Sequence, residues 1–193
     1  MRKILWIFAA FSLCGFWAAV SAQVAAWQKF DFDEGRFSVL IPQMKDVKPP
    51  SGQKWDLWVK NSSGLPEYYF SVSFQDVAGT PVPAQIFKEE KASIDQNDHP
   101  EKVDQKPFKY RGYPSCQYSF IAYPTPHFAQ WTLRRIIIVN HRIYTAEFIK
   151  NLTEYDPKGH GMSAEVKANA SATAKKFFES LSFVHPELNM GMM

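Results

Sequence analysis

The sequence predicts an α+β domain: a mainly antiparallel central sheet flanked by helices, an α/β/α sandwich. Three observations carry that expectation. Six separate runs alternate apolar with polar residues, the pattern of half-buried strands. The breaks between runs are short, and no strand–helix–strand crossover rhythm repeats, which argues against a parallel nucleotide-binding sheet. Only two segments have helical periodicity, one in mid-chain and one near the end.

The first residues read as an export signal. Arg2 and Lys3 precede a mostly apolar run from Ile4 to Trp17, and Val20 and Ala22 put small residues where a signal peptidase reads. Residues 1–22 are expected to be removed between Ala22 and Gln23, leaving 23–193 as one domain with no stable membrane anchor. An uncleaved anchor is the other reading, but the run falls short of the roughly 20 apolar residues that span a bilayer. Cys14 follows the bulky Leu13 and is assigned to the discarded segment.

That segment holds two of the 22 basic residues and none of the 19 acidic ones. Twenty then stand against 19, with no basic block, so a nucleic-acid partner is not expected. Lys106, Lys109, Tyr110 and Arg111 mix charge with an aromatic over too few residues to count. Cys116 alone of the two cysteines survives processing, which precludes an intramolecular disulfide. It alternates with Tyr118 and Phe120, so we expect a buried small hydrophobe and no reactive thiol.

Taken in order, the first strand is read at Phe37, Val39 and Ile41. The second alternates Trp55, Leu57 and Val59 with Asp56 and Trp58. The third, Glu67 to Gln75, turns Tyr68, Phe70, Val72 and Phe74 one way and Tyr69, Ser71 and Ser73 the other. A helix over 82–96 carries Ile86, Phe87 and Ile94 among charged residues. Strands follow at 113–122, 130–139 and 142–149. Ile136 to Val139 is apolar on both faces, as suits a central strand covered on each side. Asn140-His141 is a two-residue hairpin loop, with Asn suited to positive φ. A final helix over 163–181 aligns Val166, Ala170, Ala174, Phe177, Phe178 and Leu181 in one stripe, with Glu165 near its positive end.

Several phrases, in this order, resemble the PsbP-like superfamily, which includes PsbP and the DcrB-like bacterial envelope proteins. They are Glu34 to Pro42, Tyr69 to Asp76, Tyr110 to Pro114, Arg142-Ile143-Tyr144 and Phe177 to Phe183. The resemblance implies the antiparallel sheet with flanking helices, a periplasmic or secreted location, and an accessory binding role without catalysis. It transfers no active-site residue.

The search for chemistry supports the same expectation. His99, His127, His141, His160 and His185 make no zinc spacing. His160, after Asp156 in a glycine-containing loop, is expected in a solvated turn. Asp31, Asp33 and Glu34 could hold calcium but lack the spacing of a known loop, and are read as a polar strand entry. No nucleophile elbow or phosphate loop occurs, and Glu89 and Glu90 diverge by about 100° on a helix, which rules out a matched acid/base pair. No cofactor or metal is expected. Two aromatic features could meet a partner. Trp58 lies on the polar side of its strand, where we expect a helix to cover it; otherwise it is free for recognition. Tyr123-Pro124-Thr125-Pro126-His127-Phe128 is a stiff segment with aromatics at both ends, read foremost as a connector. The three glycosylation triplets at Asn61, Asn151 and Asn169 are expected to be bare. The function expected is the binding of a protein or envelope component, with an envelope hydrolase of dispersed site or a small-ligand or metal carrier as the alternatives.

Overall fold

The chain runs β1 (Trp27–Phe32), β2 (Phe37–Pro42), β3 (Lys54–Lys60), β4 (Pro66–Asp76), α1 (Pro83–Asn97), β5 (Val103–Tyr110), β6 (Tyr113–Thr125), β7 (Phe128–Val139), β8 (Arg142–Leu152), α2 (Ala164–Ser180) and β9 (Ser182–Phe183). These come from a computed structural model that describes residues 26–43, 52–60, 64, 66–98, 100, 102–125, 128–152 and 162–184. The six strands and two helices read from the sequence are all present. The expected cleavage point at Ala22 and Gln23 lies outside the described residues.

Six strands form one antiparallel sheet in the order β3-β4-β8-β7-β6-β5, and β1-β2-β9 form a smaller one. Strands β5 to β8 are a meander in which each pairs with the next, and short turns join β5 to β6 and β7 to β8. Between β7 and β8 that turn is Asn140-His141, with Asn140 at φ 54°, as its sequence required.

Alternation gives the large sheet two distinct faces. On one, Cys116, Tyr118, Phe120, Ala122 and Ile136 pack with Ile94 of α1. On the other, Phe70, Val72, Ile137, Ala146 and Phe148 form the main core with Phe177 and Phe178 of α2 and with Val39 and Ile41 of β2. The four apolar residues Ile136 to Val139 are buried on both sides, as expected of a central strand.

The flanking layers differ from the expected helices alone. The second layer is α2 together with the three-stranded sheet, because β1, unrecognised in the sequence, pairs with β2 and drives Phe30 to 5.0 Å from Trp55. Two further strands escaped the sequence reading, β5 and the two-residue β9. The terminal stripe also needs one correction. Ala170, Ala174, Phe177, Phe178 and Leu181 are buried, but Val166 is 38% exposed, and its neighbours from Ala164 to Asn169 at the start of α2 are exposed as well.

Candidate binding face

The α1 side of the large sheet is only partly covered. Helix α1 packs on β5 and β6 and reaches β7 and β8 through Ile136 and Ile143. An ion cluster fixes it there. Arg134 of β7 lies 2.9 Å from Glu90 and 3.6 Å from Asp98, both contributed by the helix segment, and 2.7 Å from Glu147 of β8. Glu90 thus turns to the sheet while Glu89 accepts from Gln85 on the solvent side, so the two carboxylates diverge as expected.

Beyond that footprint, β3 and β4 present an open strip. Alternation sends Trp55 and Leu57 inward, so Lys54, Asp56 and Trp58 must project outward. In register beside them are Ser73, Ser71 and Tyr69 of β4. Trp58 is 41% exposed, and its ring lies 4.5 Å from that of the buried Tyr69, tilted by 41°. Among the described residues no helix covers it, which corrects that expectation: α1 sits over the opposite end of the sheet.

The Tyr69 hydroxyl donates to Asp56 at 3.3 Å, and Lys54 Nζ stands 3.6 Å from the same carboxylate and 5.4 Å from the Tyr69 ring centre. Burial raises the pKa of the Tyr69 hydroxyl, although Lys54 pulls the other way. Burial works to lower the pKa of Lys54, and Tyr69 and Asp56 outweigh it, leaving it raised. Up the strands, Lys54 and Gln53 join Ser73, Gln75, Ile143 and Thr145 around an open recess of about 310 Å³. The strip therefore joins an aromatic platform, a charge pair and a row of hydroxyl and amide groups. Such a surface can stack on one part of a ligand and hydrogen-bond another.

The other residues singled out in the sequence are scattered. Tyr123 is half-buried against the main core, and Phe128 opens β7, so the segment between Ala122 and Gln130 is the end of a hairpin. His127 lies outside the described residues, as do His160 and Asn61. Asp31 pairs with Lys29 at 2.6 Å, while the carbonyls of Asp33 and Glu34 accept from the Arg36 backbone and the Arg142 guanidinium. Among the described residues no group of His, Cys, Asp and Glu is placed to hold a metal. Asn151 is buried between Gln130 and the Pro66 carbonyl, and Asn169 sits on the exposed side of α2. Cys116 is fully buried, as its alternation required.

Of this strip, the sequence singled out Trp58 alone. The recess and the Arg134 cluster depend on cross-strand register, to which single-strand alternation is blind.

No family model matches the chain, and no curated protein matches it. Among solved structures it is similar to a Pseudomonas aeruginosa protein of unknown function, at 12% identity and TM-score 0.45, over 76% of this chain and 94% of that one. It is similar to the cyanobacterial PsbP of Synechocystis sp. PCC 6803 at 13% identity and TM-score 0.44, over 84% and 95% of the two chains. LpqN of Mycobacterium tuberculosis, involved in cell envelope biogenesis, matches at 7% identity and TM-score 0.40, over 82% and 79%. At these scores the likenesses carry no argument about function. PsbP, for which the superfamily resembled by the sequence phrases is named, is among the solved structures to which this chain is similar.

Proposed function

We propose that this chain is an exported accessory domain that binds a protein or envelope component through the open strip around Trp58, without catalysing a reaction on it. The exposed Trp58 on its buried Tyr69 support is the observation that carries this reading. A large aromatic side chain left in water forgoes the stabilisation it would gain by burial, and partner surfaces are where such residues concentrate. Asp56, and Lys54, Ser73 and Thr145 farther along the same strip, supply the hydrogen bonds that would orient a partner. Export is supported by Arg2-Lys3, the apolar run and Val20-Ser21-Ala22. Among the described residues no helix is long and apolar enough to cross a membrane.

Affinity capture from envelope extracts, with the wild-type chain and the Trp58→Ala variant side by side, tests this. The mature chain recovered should begin at Gln23 by intact mass. Trp58→Ala should cost about 1–2 kcal/mol, the loss of its ring contact with Tyr69, and leave the domain folded, yet lose the captured species. An identical set of captured species with both chains would overturn the assignment of the strip.

A further inference from the structure

Neighbouring residues of β7 carry two guanidinium groups in opposite circumstances. Arg134, on the α1 side, meets three carboxylates within 4 Å. Arg135, on the other side, forms no ion pair within that distance among the described residues. Its Nε donates to Gln117 Oε1 at 2.8 Å. Its guanidinium carbon rests 4.4 Å from the ring centre of Phe178 and 5.2 Å from that of Phe108. Ring contacts use no N–H, so the four donors on the two Nη atoms have no acceptor among the described residues.

The group is half-buried, and burial lowers its pKa from the usual arginine value, though Tyr110 and Glu179 oppose that. Arginine keeps its charge at neutral pH under any such shift. A partly desolvated cation with no ion partner among the described residues is one that an incoming anion would stabilise.

Register extends the site. Gln117 pairs with Arg135 on one side and with Lys106 on the other, which puts Lys106, Gln117 and Arg135 in one row across β5, β6 and β7. Lys106 is exposed. The nearby carboxylates are engaged elsewhere, Glu179 with Lys175 at 3.8 Å and Asp104 with Lys102 at 2.8 Å.

We propose that Arg135, assisted by Lys106, binds an aspartate or glutamate carboxylate in an acidic segment of a partner protein. A planar carboxylate can take two parallel bonds from the Nη edge left open beside the rings. Half-buried Phe108 and Leu133 in the adjoining rows supply apolar flanks for the segment that carries the carboxylate. This site lies on the opposite face of the sheet from Trp58.

NMR titration following the Arg135 Nε–Hε resonance tests the assignment directly. A blocked tetraglutamate peptide should shift it saturably, while chloride at matched ionic strength should not. Arg135→Gln should weaken peptide binding about 10- to 100-fold, the loss of a charge-assisted pair, and Lys106→Ala about 2- to 5-fold. Trp58→Ala should leave the titration unchanged. The Lys106 variant and the wild-type resonance decide the matter even if Arg135→Gln unfolds. Failure of the peptide to saturate the resonance, tighter binding of inorganic phosphate than of the peptide, or undiminished binding by Arg135→Gln would each overturn the proposal.

Discussion

Gly35 lies in the turn between β1 and β2, where its carbonyl accepts the Tyr144 hydroxyl at 2.9 Å. A Cβ added there would stand 2.6 Å from Phe37 Cε1 and 2.9 Å from Phe32 Cδ1. Both rings are buried and locked edge to face with centroids 5.2 Å apart, so neither can retreat cheaply. Gly35→Ala should therefore lower the denaturant midpoint by the equivalent of about 1–3 kcal/mol; a melt matching the parent would mean that the turn can shift. At this scale the sequence was a partial guide. The burial of Cys116 followed from its neighbours at i+2 and i+4, and the projection of Trp58 from its own strand. The crowding at Gly35 did not, because it needs the third dimension of the turn.

At the scale of elements, α2 is fixed at its far end. Phe177 and Phe178 are buried, and the Tyr110 hydroxyl lies 2.7 Å from the carbonyls of Phe178 and Leu181 where the helix stops. Phe177→Ala should cost about 3–5 kcal/mol in unfolding experiments. Lys175→Ala, on the solvent side, should stay within about 0.5 kcal/mol. Equal melts for the two variants would show that the helix is not docked. Two of the strands that sequence reasoning missed, β5 and β1, were hidden by different physical causes. β5 reads Val-Asp-Gln-Lys-Pro-Phe-Lys-Tyr and buries only Tyr110, because an edge strand has little apolar pattern to display. Its Pro107 also argues against a strand, yet an edge tolerates the missing N–H. In β1 the acidic Asp31, with Asp33 and Glu34 in the turn that follows, masked the alternation of Phe30 and Phe32.

Over the whole molecule, the polar atoms buried with so many aromatics leave a mark on pH dependence. Burial raises the hydroxyl pKa of Tyr68, Tyr69, Tyr110, Tyr118 and Tyr144, that of Tyr68 to about 12. These tyrosines ionise near pH 10 once unfolded. The folded state holds its protons longer, so their contribution is complete below about pH 10 and is lost as pH rises from there through the folded values. The unfolding midpoint should therefore hold steady from neutral pH to about 9.5 and fall between about 10 and 12; a flat profile to pH 12 would contradict the burial of these hydroxyls. The pairing of β4 with β8 has a kinetic consequence of another kind. β5 to β8 can zip together hairpin by hairpin, but even the nearest partners of β4 and β8, Asp76 and Arg142, are 66 residues apart in the chain. Closing that loop loses conformational freedom before any contact compensates for it. The meander is thus expected to form early and present β8 as a waiting edge, so that folding speed is governed by the arrival of the β3–β4 hairpin, and the chain is most exposed to mispairing in the interval before it docks.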